Sequence, residues 1–543
     1  MAGNPELQKL VDDYASFLFS KNPVAATALG VHTEDGRLGD YDEASLKEEI
    51  KGLKALKQRL AKIPADGPAI EQRIEHEYLS SKLDTWIADL EEIRALQKNP
   101  SMYSELCMYG IFLLMSRDFA PAPDRAKSVI SRLKEMPRVL GQGKENVKNP
   151  PKVYAEIARD VTKGGEDFLI EVSRFLETAL PKDKAGWSST LDEASAALKN
   201  YRAHLEKILP EARGNFALGE KMFNFKLARD FMVSHDCSSL EKLGKKVFEE
   251  TKKQMLDTAR EIDPRKSVDD TMTEIKKDHP EAAKVKESYE REMLRAKHFV
   301  VEKDLVAIPE GETLVCIDTP VFERSTIPYA AYLPPGPFEE KQQGFFYVTP
   351  VTPSMPKEEQ LERLKGHNMS SIITCSLHEA YPGHHLQLVS ANRVKSKMRK
   401  LGDSNVLAEG WALYCEEMMY EQGFYKDPRV RLYQLKDSLW RAARIMIDVG
   451  IHTGKMSIDE AVDLLVNGVW IEKPNAVSEV KRYTTSPTQP SSYMLGKIEI
   501  MSMREDYMQK MKGGFSLKKF HQAILGAGTI PPRLIRNELF QNT

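Results

Sequence analysis

The chain contains few cysteines, five in 543 residues. They are odd in number, lie far apart in the sequence and form no C-x-x-C pair, which argues against a disulfide framework. We therefore expect reduced thiols, most of them buried. Cys375 and Cys415 fall close to the residues discussed below, and we expect both to pack within helix faces.

An excess of charge of either sign is also absent. The 78 Lys and Arg residues are balanced by 80 Asp and Glu, for a net charge of −2, so nucleic acid is not an expected partner. The sequence has no apolar run of the length that a membrane span needs, and its first residues lack the charged and apolar regions of a signal peptide. We expect a cytoplasmic protein with no membrane partner; the oligomeric state stays open.

Most of the sequence has the periodicity of helices. From about residue 5 to 298 apolar residues recur at spacings of three and four, which indicates amphipathic helices. We predict a mainly α protein: a helical N-terminal half over residues 1–300 that covers a cleft, a small β-sheet segment over 301–355 beside that cleft, and a helical C-terminal half over 356–543, which contains the histidine-rich stretch His378–Gln387. These parts are expected to form one compact body.

The segment before the C-terminal half is rich in β-branched and aromatic residues interrupted by Pro and Gly, a pattern typical of short strands. The predicted strands are Leu305–Ile308, Thr313–Ile317, Tyr329–Leu333 and Phe345–Val348. Residues 345–347 are a candidate edge to which an extended peptide could add. A sheet that simply packs on helices is the alternative.

The stretch from His378 to Gln387 has the strongest chemical signature. A His-Glu pair followed by further histidines resembles H-E-x-x-H, in which two imidazoles on one helix face hold zinc and the glutamate acts as general base. Here Pro382 stands where the second histidine belongs, and His385 is about 10 Å along a straight helix. If Pro382 and Gly383 form a bulge in the helix, His384 takes the place of the missing ligand.

We therefore predict His378 and His384 as zinc ligands and Glu379 as the general base, with His385 in a supporting or substrate-facing role. The alternative is structural: adjacent histidines also occur at helix ends and in solvated turns. A catalytic zinc site needs a third protein ligand, and Glu409 is our candidate. Its alternative is an ordinary solvated helix acid.

Three further residues are candidates for supporting roles. Glu416 lies seven residues after Glu409, on the same helix face, and could accept the ring N–H of a ligand histidine. Asp448 and His452 share a face of a largely apolar helix with Arg441, so Asp448 could orient His452. An active-cleft wall and a satisfied buried ion network explain this polar stripe equally well.

Hydrolysis of an amide also needs a donor to the oxyanion of the transition state. His452 and Tyr493 are the candidates, and the sequence does not choose between them. A core tyrosine next to a turn is the alternative for Tyr493.

Several stretches together resemble the domain-of-unknown-function family 885, which is similar to the gluzincin metallopeptidases. They are His378–Gln387, Glu409–Tyr414, Asp448–Thr453, Arg482–Tyr483, Ser492–Gly496, Asn22–Thr27 and Leu29–His32. The resemblance implies a mainly helical zinc peptidase fold with His378, His384 and Glu409 at the metal and Glu379 as base. Residues 485–490 depart from the family's Pro-Gly-Gln turn, between Arg482 and Tyr493.

The function expected from the sequence is a zinc-dependent metallopeptidase with one Zn²⁺ per chain and a peptide as substrate. Zinc would lower the pKa of a water molecule that Glu379 deprotonates, and His452 or Tyr493 would stabilise the oxyanion. The residues expected to touch substrate or support the ligands are His385, Glu416, Asp448 and Arg482. The alternatives are a zinc hydrolase of another amide or an ester, and a non-catalytic helical binding protein with a vestigial metal site.

Overall fold

The computed structural model describes residues 4–67, 69–320, 323–324, 327 and 329–541. Contacts divide the chain into two units. The first is built from residues up to Phe216 together with Pro320–Ser325 and Pro335–Lys341, and the second from the remainder. The boundary thus lies near residue 216, whereas the change of sequence texture lies near 300.

The first unit is helical in its described residues. Its helices are α1 (Pro5–Lys21), α2 (Pro23–Leu29), α3 (Glu43–Leu60), α4 (Ile70–Ala88), α5 (Ala95–Lys98), α6 (Ser101–Ser116), α7 (Ala122–Asn146), α8 (Lys152–Ala179) and α9 (Lys184–Ile208), with a π-helical turn at Asp89–Ile93 and a 3₁₀ turn at Leu209–Glu211. The long helices α6 to α9 pack against one another. Each of α7, α8 and α9 buries one apolar stripe, as expected of amphipathic helices.

The second unit holds the remaining helices and the sheet. Its helices are α10 (Glu220–Arg229), α11 (Cys237–Ile262), α12 (Val268–Ile275), α13 (Val285–Glu302), α14 (Lys357–Gly366), α15 (Met369–Glu379), α16 (His384–Ala391), α17 (Lys397–Lys400), α18 (Asn405–Glu421), α19 (Pro428–His452), α20 (Ile458–Asp463), α21 (Lys473–Thr485), α22 (Gln489–Met511), α23 (Leu517–Leu525) and α24 (Pro532–Gln541), with 3₁₀ turns at Ala282–Lys284 and Lys512–Gly514 and a π-helical turn at Leu464–Gly468.

The core of the second unit forms around α18 and α19, which are buried on most of their faces. α11 packs along α19, α22 packs along α18, and α13 packs against α15. α11 and α13 precede residue 300, but their contacts with α19 and α15 place them in the second unit. The prediction of a mainly α protein with a small sheet is confirmed.

The sheet has three strands, β1 (Thr313–Asp318), β2 (Ala330–Leu333) and β3 (Gln343–Val348), in the order β1-β3-β2. β3 pairs parallel to β1, with Thr313 opposite Gln343, and antiparallel to β2, with Ala330 opposite Val348. The prediction that residues 345–347 form a sheet edge is wrong, because β3 is the central strand and both sides of its backbone are paired. It is mostly buried, as its Phe-Phe-Tyr-Val sequence favours.

The predicted strand at Leu305–Ile308 is also wrong. This segment forms no ladder and runs as irregular chain after α13. Leu305 and Val306 are nevertheless buried. The apolar pattern of this segment therefore reflects burial of its side chains and not pairing of its backbone with a strand. The Leu305 carbonyl accepts a hydrogen bond from Nδ1 of His521, at 2.8 Å.

Candidate metal centre

The first and second candidate ligands lie on either side of a break between two helices. α15 ends at Glu379 and α16 begins at His384, with a cis peptide bond between Tyr381 and Pro382. The predicted bulge within one helix is therefore wrong, because the backbone leaves the helical region at Ala380 (ψ −95°) and at Gly383 (ψ −133°). Pro382 offers no backbone N–H to continue the helix.

The break still brings the two histidines together. The ring centroids of His378 and His384 lie 4.8 Å apart, with the rings nearly perpendicular. The chain can fold back this tightly because Gly383 has no side chain, since a Cβ there would lie 1.9 Å from the His378 carbonyl oxygen. Nε1 of Trp411, on α18, donates a hydrogen bond of 2.8 Å to the Pro382 carbonyl and fastens the turn to that helix.

Glu409 completes the group from α18. Its Oε2 lies 3.1 Å from Nε2 of His384 and 3.7 Å from Nε2 of His378. This oxygen is buried and has no hydrogen-bond partner among the described residues. Ligand atoms of His378, Glu379 and His384 also lie within 4.8 Å of one another. Two imidazoles and two carboxylates thus surround one point, a donor set that suits a divalent cation such as Zn²⁺.

Glu416 supports His378 from one side. Nδ1 of His378 donates a hydrogen bond of 2.8 Å to Oε1 of Glu416, which is buried one helical heptad after Glu409. A carboxylate on Nδ1 fixes the tautomer in which the Nε2 lone pair is available to a cation. Burial lowers the pKa of His378, but its contacts with Glu409 and Glu416 outweigh burial and raise that pKa to about 10.

The adjacent residue His385 points into a different environment. It is fully buried, its Nε2 donates to Oε2 of Glu312 at 2.5 Å, and its Nδ1 accepts from the Tyr332 hydroxyl at 3.0 Å. Lys297 and Tyr381 also donate to Glu312. Burial raises the pKa of Glu312, but these hydrogen bonds outweigh it and hold the pKa at about 2. Both ring nitrogens of His385 are therefore engaged, so it links α16 to the sheet and is not placed as a metal ligand.

Tyr493, on α22, lies beside the candidate metal ligands. Its ring is nearly parallel to that of His378, with 6.3 Å between centroids, and its hydroxyl accepts a 3.3 Å hydrogen bond from Nε2 of Gln489. α22 reaches this position because it crosses α18 where Gly410 of α18 meets Gly496 of α22. A Cβ on Gly496 would lie 1.9 Å from the Val406 carbonyl oxygen, so the backbones approach more closely than side chains would allow.

Asp448 and His452 are fully buried, away from these contacts. Asp448 accepts hydrogen bonds from the backbone N–H groups of Thr488 and Ser491, at 3.1 and 3.2 Å. Nε2 of His452 donates to the Tyr483 carbonyl at 3.0 Å and lies 3.9 Å from Asp448, too far for a hydrogen bond. Burial raises the pKa of Asp448 to about 7 and lowers that of His452 to about 4.

These two residues therefore hold the chain between α21 and α22. Thr488, which adopts a left-handed φ of 73°, lies in the turn that departs from the family pattern, and Asp448 holds its N–H group. The structure thus brings Tyr493 to the candidate metal ligands, whereas His452 lies in the core.

Sequence reasoning missed one residue of this region, Arg444. Its Nε donates to the Tyr483 hydroxyl at 2.8 Å, its Nη2 lies 3.1 Å from Glu479, and its Cζ lies 4.5 Å from the Tyr493 ring centre. Arg482 shares Glu479 at 2.9 Å and donates to Gln489 at 3.3 Å. A charged residue inside the apolar stretch of α19 was the available signal for Arg444, since buried charge requires a partner.

A family model described as "Bacterial protein of unknown function (DUF885)" matches residues 23–539. The chain belongs to this family. The DUF885 match contains every residue of the candidate metal group described above. No curated protein matches the chain.

Two solved structures share the fold. A candidate lipoprotein of unknown function from Shewanella oneidensis has a TM-score of 0.82 at 24% identity, with 99% of this chain and 100% of that chain covered. A candidate lipoprotein from Colwellia psychrerythraea has a TM-score of 0.85 at 18% identity, with 99% of each chain covered. Within the described residues of this DUF885 protein, none of the helices is long and apolar enough to cross a membrane.

Proposed function

We propose that this protein is a zinc metallopeptidase similar to the gluzincins, with one Zn²⁺ held by His378, His384 and Glu409. The observation that carries the proposal is the buried Oε2 of Glu409, which accepts no well-aligned hydrogen bond among the described residues and lies within 3.7 Å of Nε2 on both histidines. A buried carboxylate oxygen without a hydrogen bond is costly. A cation between the three atoms removes that cost.

Glu379 is assigned the proton transfers. A bound zinc ion would polarise the substrate carbonyl and make water more acidic. The Glu379 carboxylate follows His378 directly and is half-buried at the same point, so it can take a proton from the attacking water and return it to the leaving amine. This division of roles leaves Glu409 as the ligand, because its oxygen approaches both imidazoles.

Tyr493 is assigned the stabilisation of the oxyanion. Its hydroxyl can donate a hydrogen bond while it accepts one from Gln489, and its ring lies alongside His378. A donor already fixed by its neighbours costs no reorganisation when negative charge develops on the carbonyl oxygen. A peptide as substrate and a cytoplasmic location remain part of the proposal, as does the absence of nucleic-acid and membrane partners.

Zinc content tests the metal site. Elemental analysis should find about one zinc per chain in the parent protein, as the three-ligand site requires, and much less in His384→Ala. His298→Ala is the matched control, because His298 is exposed on α13, and it should keep its zinc. Zinc retained in His384→Ala would contradict the ligand assignment.

Activity on a peptide pool tests the reaction. Glu379→Gln should keep its zinc and lose roughly 10²- to 10⁴-fold in kcat, the range for a positioned general base. Glu362→Gln, an exposed acid on α14, is the control. Cleavage of esters or other amides with no cleavage of peptides would favour a different zinc hydrolase, and zinc binding without any hydrolysis would favour a binding protein.

A further inference from the structure

Three arginines surround the tyrosine that stands beside the metal ligands. The guanidinium carbon of Arg444 lies 4.5 Å from the centre of the Tyr493 ring, and that of Arg441 lies 5.9 Å from it. Arg482 donates to Gln489, whose amide in turn donates to the Tyr493 hydroxyl. We refer to Arg441, Arg444 and Arg482 as the arginine cluster.

The acidic partners of this cluster are too few to balance it. Glu479 is shared by Arg444 and Arg482, at 3.1 and 2.9 Å. Asp437 is likewise shared by two cations, Arg441 at 3.5 Å and Lys436 at 3.7 Å. Each carboxylate therefore meets two positive side chains, so the four cations outnumber these two carboxylates. The acid that acts most strongly on Tyr493, Glu409, belongs to the candidate metal group.

The cluster also has donors that no described residue satisfies. Nη1 of Arg444 and Nε of Arg441 are buried and lack a hydrogen-bond partner among the described residues. Buried guanidinium N–H groups are normally paired, and a carboxylate is the partner whose geometry they match. The side chains are 5% exposed for Arg444, 14% for Arg441 and 38% for Arg482, so Arg482 and Arg441 are the two that a ligand can approach.

The distance to the metal ligands limits what such a ligand can be. The Tyr493 ring lies 6.3 Å from the His378 ring and 4.5 Å from the Arg444 guanidinium carbon. At about 3.3–3.6 Å per extended residue, the guanidinium lies within about three residues of a peptide bond held at the metal. A negative group on that part of a substrate would meet the cluster.

We propose that the arginine cluster binds the C-terminal carboxylate of the peptide substrate, so that the enzyme removes one to three residues from the C-terminus. This inference rests on the proposed peptidase function and specifies its substrate class. The terminal carboxylate is present in every peptide, and the planar fork of arginine recognises it through two parallel hydrogen bonds. An acidic side chain near the scissile bond carries the same group and is the alternative source.

Two matched peptides test the inference, one with a free C-terminal carboxylate and one amidated. The parent protein should hydrolyse the free acid with kcat/KM roughly 10- to 100-fold higher than the amide, the range for a lost charge-assisted contact. A second amidated pair with Glu or Gln near its terminus separates the two sources. A preference for Glu in that pair, without a preference for the free acid, would overturn the assignment to the terminus.

Arg482→Gln and Arg441→Gln should bring the acid-to-amide ratio towards one. Arg441→Lys keeps the positive charge but loses the planar guanidinium that can make two parallel hydrogen bonds. It should therefore lower the acid-to-amide ratio, and it serves as the test if Arg441→Gln folds poorly. Arg429→Gln is the matched control, because Arg429 is an exposed arginine at the start of the same helix, and it should keep the parent ratio. Thermal melting of each variant identifies those that have lost their fold.

Binding measured without turnover separates this inference from the proposed function. Zinc-free protein should bind the labelled free-acid peptide more tightly than the amide in fluorescence anisotropy, and Arg482→Gln should remove the difference. Equal hydrolysis and equal binding of the two peptides would overturn the inference and leave the peptidase intact. A preference that persists in both arginine variants would also overturn it, and no cleavage of any peptide would count against the peptidase itself.

Discussion

His384 and His385 are adjacent in the sequence but serve different parts of the molecule. His384 begins α16 with its Nε2 3.1 Å from Glu409, whereas His385 is fully buried between Glu312 and Tyr332. Successive residues on a helix differ by about 100° in direction, so one imidazole meets the α18 carboxylate and the next meets the sheet. The first is available to a cation and the second connects two elements.

The assignment of the oxyanion donor to Tyr493, and not to His452, gives a prediction about single residues. Tyr493→Phe should lower kcat roughly 10²-fold, the effect of losing one oxyanion donor, while zinc content and the melting temperature stay near those of the parent. Steady-state kinetics with zinc analysis checks this. An unchanged kcat in Tyr493→Phe would contradict the role given to its hydroxyl.

His452→Phe should have the opposite profile. It removes one of two hydrogen bonds that the Tyr483 carbonyl accepts, since the Ser486 N–H also donates to it at 3.3 Å. The loss costs about 0.5–1.5 kcal/mol of stability. Activity per folded molecule should remain, because His452 packs in the core. Urea denaturation and kinetics on the same sample separate the two effects.

The candidate metal ligands could be predicted from the sequence because two histidines and an acid form a compact chemical pattern. The role of His452 could not be predicted, because the same polar stripe on a helix is compatible with the wall of an active cleft and with a buried polar network. What decides between them is the position of Tyr483 and Thr488, which belong to other segments of the chain. Arg444 was missed for the same reason, since its partners Tyr483 and Glu479 lie 35 or more residues away.

At the scale of elements, the predicted bulge and the observed helix break differ in their physical basis. A bulge keeps one helix axis, whereas Ala380 and Gly383 both leave the helical region and start a second helix. Pro382 and Gly383 identify the place of the interruption, but its form depends on tertiary contacts. The decisive contact is that of Trp411 with the Pro382 carbonyl, which no local pattern contains.

The close crossing of α18 and α22 gives a prediction at the scale of elements. In Gly496→Ala the new Cβ would lie 1.9 Å from the Val406 carbonyl oxygen, so the helices must separate. We expect a loss of about 1–3 kcal/mol in stability, together with lower activity, because Tyr493 lies one turn before the crossing. Chemical denaturation and kinetics measure both quantities.

Gly141→Ala is the matched control for this substitution. Gly141 lies inside α7 with no atom within 4 Å of an added Cβ, so alanine should stabilise the protein by about 0.4–1 kcal/mol. Equal stability of the two variants would show that the close approach of α18 and α22 does not matter.

At the scale of the whole molecule, the second unit keeps several ionisable groups in its interior. His367, His452 and His521 are fully buried, and burial lowers the pKa of each to about 4. Asp448 is shifted the other way, because burial raises its pKa to about 7. Histidine titrates near 6.5 in an unfolded chain and aspartate near 3.8, so folding changes how many protons the chain binds under mildly acidic conditions.

The signs of these shifts determine how stability changes with pH. The stability contributed by each histidine is fully present above pH 6.5 and is lost as the pH falls through 4, on the order of 3 kcal/mol per group. The stability contributed by Asp448 is fully present below pH 3.8 and is lost as the pH rises through 7. Glu323, in the first unit, is shifted like Asp448, because burial raises its pKa to about 7. Between pH 6.5 and 4 the three histidines therefore act against two acids, and these five groups leave the unfolded chain with about one proton more than the folded chain.

We therefore expect the zinc-free protein to lose stability steadily from pH 6.5 to 4.5, at on the order of 1 kcal/mol per pH unit. The midpoint of urea unfolding, measured at half-unit steps in the presence of a chelator, checks this. His367→Gln removes one of the three histidines, so its midpoint should fall less steeply with acid although its stability at pH 7.5 is no higher. A midpoint that does not move between pH 6.5 and 5 would mean that these histidines are already solvated in the folded protein, and the packing of the second unit around them would need revision.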